Sequence, residues 1–246
     1  MKTSEYAKTG FELKPGMSVG TRLSVIEKIG SGSEGEVYKA LEAHTGKVRA
    51  VKVYYPDRNP KFKVSARYAR KLDKLRGCPI VMDYLSHEVV WINGEEIACL
   101  ISEFIDGEML GDFISKQRGK RLGVFPAIHL LYSIVRGVEA IHQCGEYHGD
   151  LHVDNVMIKR FGLEFDLKII DMHHWGDSKQ DNREEDIMKM VKLFYVILGG
   201  AKKYPQVPAS LKYIIGGLKR SLVLKRFRTV TELRYYLEEM DWSDAV

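Results

Sequence analysis

Over the first hundred positions, apolar and β-branched residues fall in short runs with polar residues between them, at 23–29, 36–43, 47–54, 89–92 and 97–103. Turn dipeptides such as Thr45-Gly46 and Asn93-Gly94 separate several of these runs, so the pattern predicts an antiparallel sheet. One helix is inserted in it, because Tyr68, Leu72 and Leu75 recur at i, i+4 and i+7 and share a face. After Asp106-Gly107 the period changes. Ile128, Leu131, Val135, Val138 and Ile141 fall at helical spacing, and Cys144-Gly145 closes that helix. The remainder is predicted to be mainly helical, with neither an internal repeat nor a low-complexity segment. The expected class is α+β in two lobes: an antiparallel-sheet N-lobe over 20–103, a hinge over 103–107 and a helical C-lobe over 108–246. A tail over 1–19, punctuated by Pro15-Gly16, precedes them.

The chain has 246 residues, 45% apolar and 29% charged, which suffices for one sizeable core or two small lobes and is unlike a disordered chain. No apolar run approaches the ~18 residues of a membrane span. The first eleven residues carry no apolar segment of the signal-peptide kind, so the expected compartment is the cytoplasm, with no membrane partner. Cys78, Cys99 and Cys144 are far apart and odd in number, and read as three buried thiols rather than a disulfide framework or a zinc site. The net charge of +5 is uneven. Lys61, Lys63, Arg67, Arg70, Lys71, Lys74 and Arg76 crowd the first helix, whereas Glu184, Glu185 and Asp186 form an acidic patch. No aromatic-interleaved motif accompanies the basic helix and a solvated face accounts for it, so no nucleic-acid partner is expected.

Three clusters carry chemistry. The turn Gly30-Ser31-Gly32-Ser33-Glu34-Gly35 lies between Val25-Ile26 and Val37-Tyr38. Its glycines let backbone N–H groups approach phosphate oxygens, and the alternation after it continues as a strand rather than opening a helix. A plain hairpin is the alternative. Lys52, in Arg49-Ala50-Val51-Lys52-Val53, is an ammonium within an apolar strand, an expensive position unless phosphates or a carboxylate pair with it. The third cluster is His148-Gly149-Asp150-Leu151-His152-Val153-Asp154-Asn155, with Asp171 following the strand Leu167-Lys168-Ile169-Ile170. A proton acceptor and two oxygen ligands for magnesium are what phosphoryl transfer asks of a protein. The competing view of Asp150 and Asn155 is a polar turn that caps neighbouring helices.

The run from Lys14-Pro15-Gly16 through the glycine turn, Glu36-Val37-Tyr38-Lys39-Ala40 and Ala50-Val51-Lys52 resembles the opening of bacterial Ser/Thr protein kinases. The loop His148-Gly149-Asp150-Leu151-His152 looks more like that of aminoglycoside phosphotransferases and atypical kinases, so the chain reads as a hybrid within the protein kinase-like superfamily. The resemblance covers nearly all of the chain after the tail. It implies an ATP- and Mg2+-dependent kinase acting on a hydroxyl of a protein serine or threonine. Asp150 would accept or orient the acceptor's proton, and Asn155 and Asp171 would hold magnesium. Lys52 would clamp phosphates under Ile29, Gly30, Ser31, Gly32 and Gly35. Val37, Ala50 and Met157 would enclose the base, the backbone of Glu103 and Ile105 would bond adenine, and Ser102 would be the gatekeeper. Asp186 would anchor the catalytic loop, and Arg226-Phe227-Arg228 with Thr231-Glu232-Leu233 resembles the closing helix.

Several departures alter what the resemblance implies. Tyr68 stands where the glutamate that pairs with the strand lysine belongs, so Lys52 is expected to use another carboxylate, such as Asp171, or activity to be low. Gly149 replaces an arginine, 14 residues separate Asp171 from Asp186, and Met172-His173 follow Asp171. With neither a phosphate-receiving arginine nor a long loop, control by activation-loop phosphorylation is not expected. His152 replaces a lysine at the transferred phosphate. Its ordinary pKa near 6.5 implies a rate that falls between about pH 6 and 8, and an unchanged profile in His152→Gln would refute this. His148, His152, His173 and His174 match no zinc spacing. A small-molecule acceptor and a nucleotide-binding scaffold without turnover are the rival readings, and the oligomeric state is left open.

Overall fold

The alternation of deeply and partly buried positions organises the first half of the chain. The computed structural model describes residues 10–161, 164–173 and 178–241. Strands β1 (Ser18–Val19), β2 (Leu23–Ser31), β3 (Gly35–Glu42), β4 (Val48–Tyr54), β5 (Tyr84–Ile92) and β6 (Glu95–Glu103) form one antiparallel sheet in the order β1-β2-β3-β4-β6-β5. Side chains alternate across a strand, so Tyr38, Ala40, Val51 and Val53 enter one apolar layer. Val37, Ala50 and Lys52 lie on the other face and are only partly covered. Helix α1 (Lys63–Lys74) packs on β5 and β6 and buries Tyr68, Ala69 and Leu72, as the spacing predicts. Two residues in left-handed backbone, Lys61 (φ 52°) and Phe62 (φ 59°), precede it and separate Lys61 from the helical face. Lys71 is buried rather than on the solvated side.

The apolar layer extends beyond the expected boundary of the tail. Phe11 is 2% and Leu13 7% exposed, so residues 10–19 belong to the packed unit. The Phe11 ring stacks on Tyr55 with centroids 5.4 Å apart, and its N–H donates to Glu36 Oε2 at 3.0 Å. Glu36 is itself buried and also accepts from Lys28 and Tyr38. Burial opposes its ionisation, but these donors outweigh it and hold the carboxyl below the usual range. Pro15-Gly16 marks a corner in packed chain, where Met17 N donates to Lys14 O and Gly16 N to Val25 O, rather than the start of a free end. The part of the tail at residues 1–9 lies outside the described residues.

In the second half, β7 (Glu108–Met109), β8 (Val156–Phe161) and β9 (Glu164–Ile169) make a three-stranded antiparallel sheet. The helices are α2 (Leu110–Lys116), α3 (Val124–Gln143), α4 (Lys179–Ile197), α5 (Gly200–Lys203), α6 (Ala209–Ile215), α7 (Arg220–Arg226) and α8 (Val230–Glu239). Helix α3 packs against α4 and α8 and buries Ile128, Leu131, Ile134, Val135, Val138 and Ile141. With 20 residues, it is by length and composition long and apolar enough to cross a membrane, contrary to the expectation that no run approaches that length. Much of its apolar surface is used in this unit's core. Thr229 caps α8, and Arg234 ties it to α3 through Glu139 at 2.8 Å.

Residues up to Arg76 together with Met82–Ile105 form one compact unit, and Gly77–Val81 with Asp106 onward form the other. The sequence pattern places 77–81 in the first lobe. They join the second unit because Ile169 N donates to Ile80 O, Val81 bridges Ile169, and the Ile80 side chain occupies the space beside Gly137 that a Cβ would need. The thiols also differ from expectation. Cys78 and Cys99 are buried, but Cys144 is exposed, since it sits where α3 ends at the surface.

Candidate active site

Within the first unit, the glycine turn joins β2 to β3, with Ser31 opposite Glu36, Gly30 opposite Val37, and Gly32 N bonded to Gly35 O at 2.9 Å. Gly35 is required by close approach, because a Cβ there would lie 2.1 Å from Val53 O. Ile29, at 46% exposure, is an apolar side chain left open at the end of β2. Lys52 on β4 pairs with Val37 on β3, and Ala50 with Lys39, so Val37, Ala50 and Lys52 share one face. Ser102 is buried next to Ala50 on β6. Glu103 exchanges bonds with Asp83: its N–H donates to Asp83 O, and its Oε1 accepts from Asp83 N. Ile105 is half-buried.

The absent helix glutamate has a substitute from a different element. Lys52 Nζ lies 3.0 Å from Glu34 Oε2, inside the glycine turn, and over the rings of Tyr54 and Tyr68 at 5.2 and 5.7 Å. Tyr68, in place of the family's glutamate, thus offers Lys52 an aromatic face. The carboxylate comes from the turn.

In the second unit, a buried anion shapes the loop after α3. Asp186 on α4 accepts from His148 N at 2.7 Å and Gly149 N at 2.8 Å, and meets His142 Nε2 at 3.0 Å. Asp186 is therefore interior, while its neighbours Glu184 and Glu185 are at the surface and pair with Arg220. His148 is buried, with Nδ1 accepting from Asp150 N and Nε2 donating to Ile170 O. Gly149 takes φ 85°, a conformation that favours glycine and that delivers its N–H to Asp186. Ile170 N bonds to Asn155 O, and His173 N to His148 O, so the residues flanking Asp171 are laid along the loop. Asp171 is exposed with φ 53°, a strained backbone for a non-glycine residue.

Asp150, Asn155 and His152 meet on this loop. Asn155 Nδ2 donates to Asp150 O at 2.7 Å, which leaves Asn155 Oδ1 as an oxygen donor beside the Asp171 segment. These are hard ligands of the kind magnesium takes from a protein when phosphates and waters complete its shell. His152 Nδ1 accepts from Asp154 N, and Nε2 lies 3.5 Å from Asp150 Oδ2. Lys189 on α4 donates to Gly149 O at 2.7 Å and to Asp150 Oδ1 at 3.1 Å. Partial burial of Asp150 opposes ionisation, but Lys189, with His152 and His148, holds the carboxyl below the usual range. Met157, on β8 opposite Met109, is half-buried. Among the described residues no cluster of three or more His, Cys, Asp or Glu could hold a metal, and His174 lies outside them.

Sequence reasoning missed Glu34 and Lys189. Lys189 had a signal: it follows Asp186 by three positions on a helix, so the two share a face toward the loop.

A family model described as "Protein kinase domain" matches residues 23–195. The serine/threonine-protein kinase pkn2 of Myxococcus xanthus is 30% identical over 157 residues, which cover 61% of this chain and 18% of that protein. The cell division control protein 2 homolog D of Antirrhinum majus is 29% identical over 151 residues, covering 60% of this chain and 48% of that one. The chain thus spans less than half the length of either relative. Among solved structures, the PknI kinase domain of Mycobacterium tuberculosis matches in fold, with a TM-score of 0.67, 14% identity, and coverage of 92% of this chain and 99% of that one.

Proposed function

Since the chain belongs to the protein kinase family, we propose that it transfers the terminal phosphoryl group of Mg-ATP to a serine or threonine hydroxyl of a protein. The observation that carries this reading is the loop anchored by Asp186, which presents the Asp150 carboxylate with Asn155 and the Asp171 segment bonded alongside. Asp150 Oδ2 takes or orients the acceptor's proton, while Lys189 engages Oδ1. Asn155 Oδ1 and the Asp171 carboxylate would hold magnesium, which would neutralise phosphate charge. Lys52 binds phosphate oxygens, and Ile29, Gly30, Ser31, Gly32 and Gly35 cover them. Val37 and Ala50 line the base from the first unit, which bonds it through the backbone at Glu103 and Ile105; Met157 is the residue of the second unit that the family resemblance assigns to the base.

Two expectations follow from the residues that replace familiar ones. Glu34→Gln removes a carboxylate that competes with phosphates for Lys52, so the Kd for Mg-ATP should fall by about threefold, read by calorimetric titration. Lys189→Met should lower kcat by about tenfold or more with little change in the KM for ATP, and Lys189→Arg should recover part of the loss. A charged hydrogen bond to Asp150 of ~1.5–3 kcal/mol supports that size. Equal losses in the Met and Arg variants would remove Lys189 from the account.

A small-molecule acceptor is the second reading. It is favoured by the His148-Gly149-Asp150-Leu151-His152 loop and by the start of α4 at Lys179, which leaves little chain after Asp171 for a protein-docking platform. The test is to supply labelled ATP with a cell lysate or with a panel of small alcohols, using Asp150→Asn as control. Label on protein serine or threonine supports the first reading, and label only on a small alcohol replaces it. Nucleotide binding with no transfer to either would make the protein a scaffold.

A further inference from the structure

Two cysteines with no part in the proposed reaction lie against each other in the second unit. Cys78 Sγ and Cys144 Sγ are 3.8 Å apart, although 66 positions separate them in the chain. That is contact distance for two thiols, and closing it to a bond of ~2.05 Å requires a movement of about 2 Å. A glycine in left-handed backbone adjoins each cysteine. Cys78 follows Gly77 (φ 96°), where a Cβ would meet nothing within 4 Å, and Cys144 precedes Gly145 (φ 76°).

The two sulfurs differ in access. Cys144 is exposed at the end of α3, whereas Cys78 is 8% exposed behind it. Burial, with the neighbouring Cys144 thiol, pushes the Cys78 thiol up to about 11. An oxidant therefore meets Cys144 first, and Cys78 is the group within reach of what forms there. Cys99, 0% exposed within the first unit's apolar layer, is an internal control.

We propose that Cys144 and Cys78 are a peroxide-oxidised pair, Cys144 as the attacking thiol and Cys78 as the resolving one. The Cys144 thiolate attacks one oxygen of hydrogen peroxide; the O–O bond breaks, Cys144 becomes a sulfenic acid and hydroxide leaves. The Cys78 sulfur then attacks the Cys144 sulfur. The S–O bond breaks, the S–S bond forms, and the leaving hydroxide takes the Cys78 proton as water. Two thiols lose two electrons, and one peroxide becomes two waters. The bond would join the segment whose Ile80 and Val81 pair with Ile169 to the end of α3, just ahead of His148. It is independent of the acceptor.

The test treats the reduced, full chain with a small excess of hydrogen peroxide, alkylates it under denaturing conditions and measures intact and peptide masses. The expected result is a loss of about 2 Da before alkylation, one alkylated cysteine per chain at Cys99, and a linked peptide pair containing Cys78 and Cys144. In Cys78→Ser, a dimedone adduct should accumulate on Cys144. Overoxidation of Cys144 beside a free Cys78 in the wild-type chain, dimers linked through Cys144, or three alkylated cysteines would each overturn the proposal.

Discussion

Asp150→Asn is expected to lower phosphoryl transfer by about 10²- to 10⁴-fold, while nucleotide binding stays nearly unchanged. The amide has the shape of the carboxylate but cannot take a proton. Its position survives, because the loop is held by Asp186 and by Asn155 Nδ2 on the Asp150 carbonyl rather than by the Asp150 side chain. The Asn side chain still offers an oxygen to Lys189, so the loss isolates charge and basicity from geometry. Steady-state rates beside ATP titrations check this. Retention of wild-type kcat would remove Asp150 from the chemistry, and a parallel loss of nucleotide binding would mean that the substitution disturbs more than the acceptor's proton.

Asp186→Ala is expected to have the largest effect on stability. The carboxylate is fully buried and accepts two backbone N–H bonds from consecutive residues, with His142 as a third partner. Truncation removes the carboxylate acceptor of the buried His148 and Gly149 N–H groups. The left-handed Gly149 backbone then loses the acceptor of its N–H, while Lys189 still donates to its carbonyl. Breaking a buried charged network of this kind costs about 3–5 kcal/mol, which corresponds to a drop of about 10 °C in the melting of the second unit. Transfer should vanish along with it, because Asp150 follows directly on the released turn. Calorimetry and transfer assays check the two parts. A melting midpoint within about 2 °C of wild type would show that other contacts hold the loop.

What could be read in the sequence divides along a physical line. The alternation around Val37 and Lys52 was legible as strands, because backbone geometry alone fixes that period, and the structure puts Tyr38 and Val51 in the core with Val37, Ala50 and Lys52 on the other face. Tyr68, Leu72 and Leu75 were legible for the same reason. Phe11 and Leu13 were missed since Pro15-Gly16 looks the same whether it ends a tail or turns a packed segment. Gly77–Val81 was misplaced because Ile80 and Val81 pair with Ile169, far along the chain, and no local spacing records that partner. The partners of Lys52 and Asp150, Glu34 and Lys189, depend on how a turn closes and on which side chains converge from separate elements. Periodicity is silent on both. The sulfurs of Cys78 and Cys144 likewise meet across 66 positions.

The most direct measurement is a single-turnover reaction with ATP labelled on its terminal phosphate, run with and without magnesium in the presence of a lysate-derived protein acceptor. The account predicts that label moves onto serine or threonine, that chelation stops it, and that Asn155→Ala and Asp171→Asn each slow it. Stoichiometric nucleotide binding with the label remaining on ATP under every condition would contradict it.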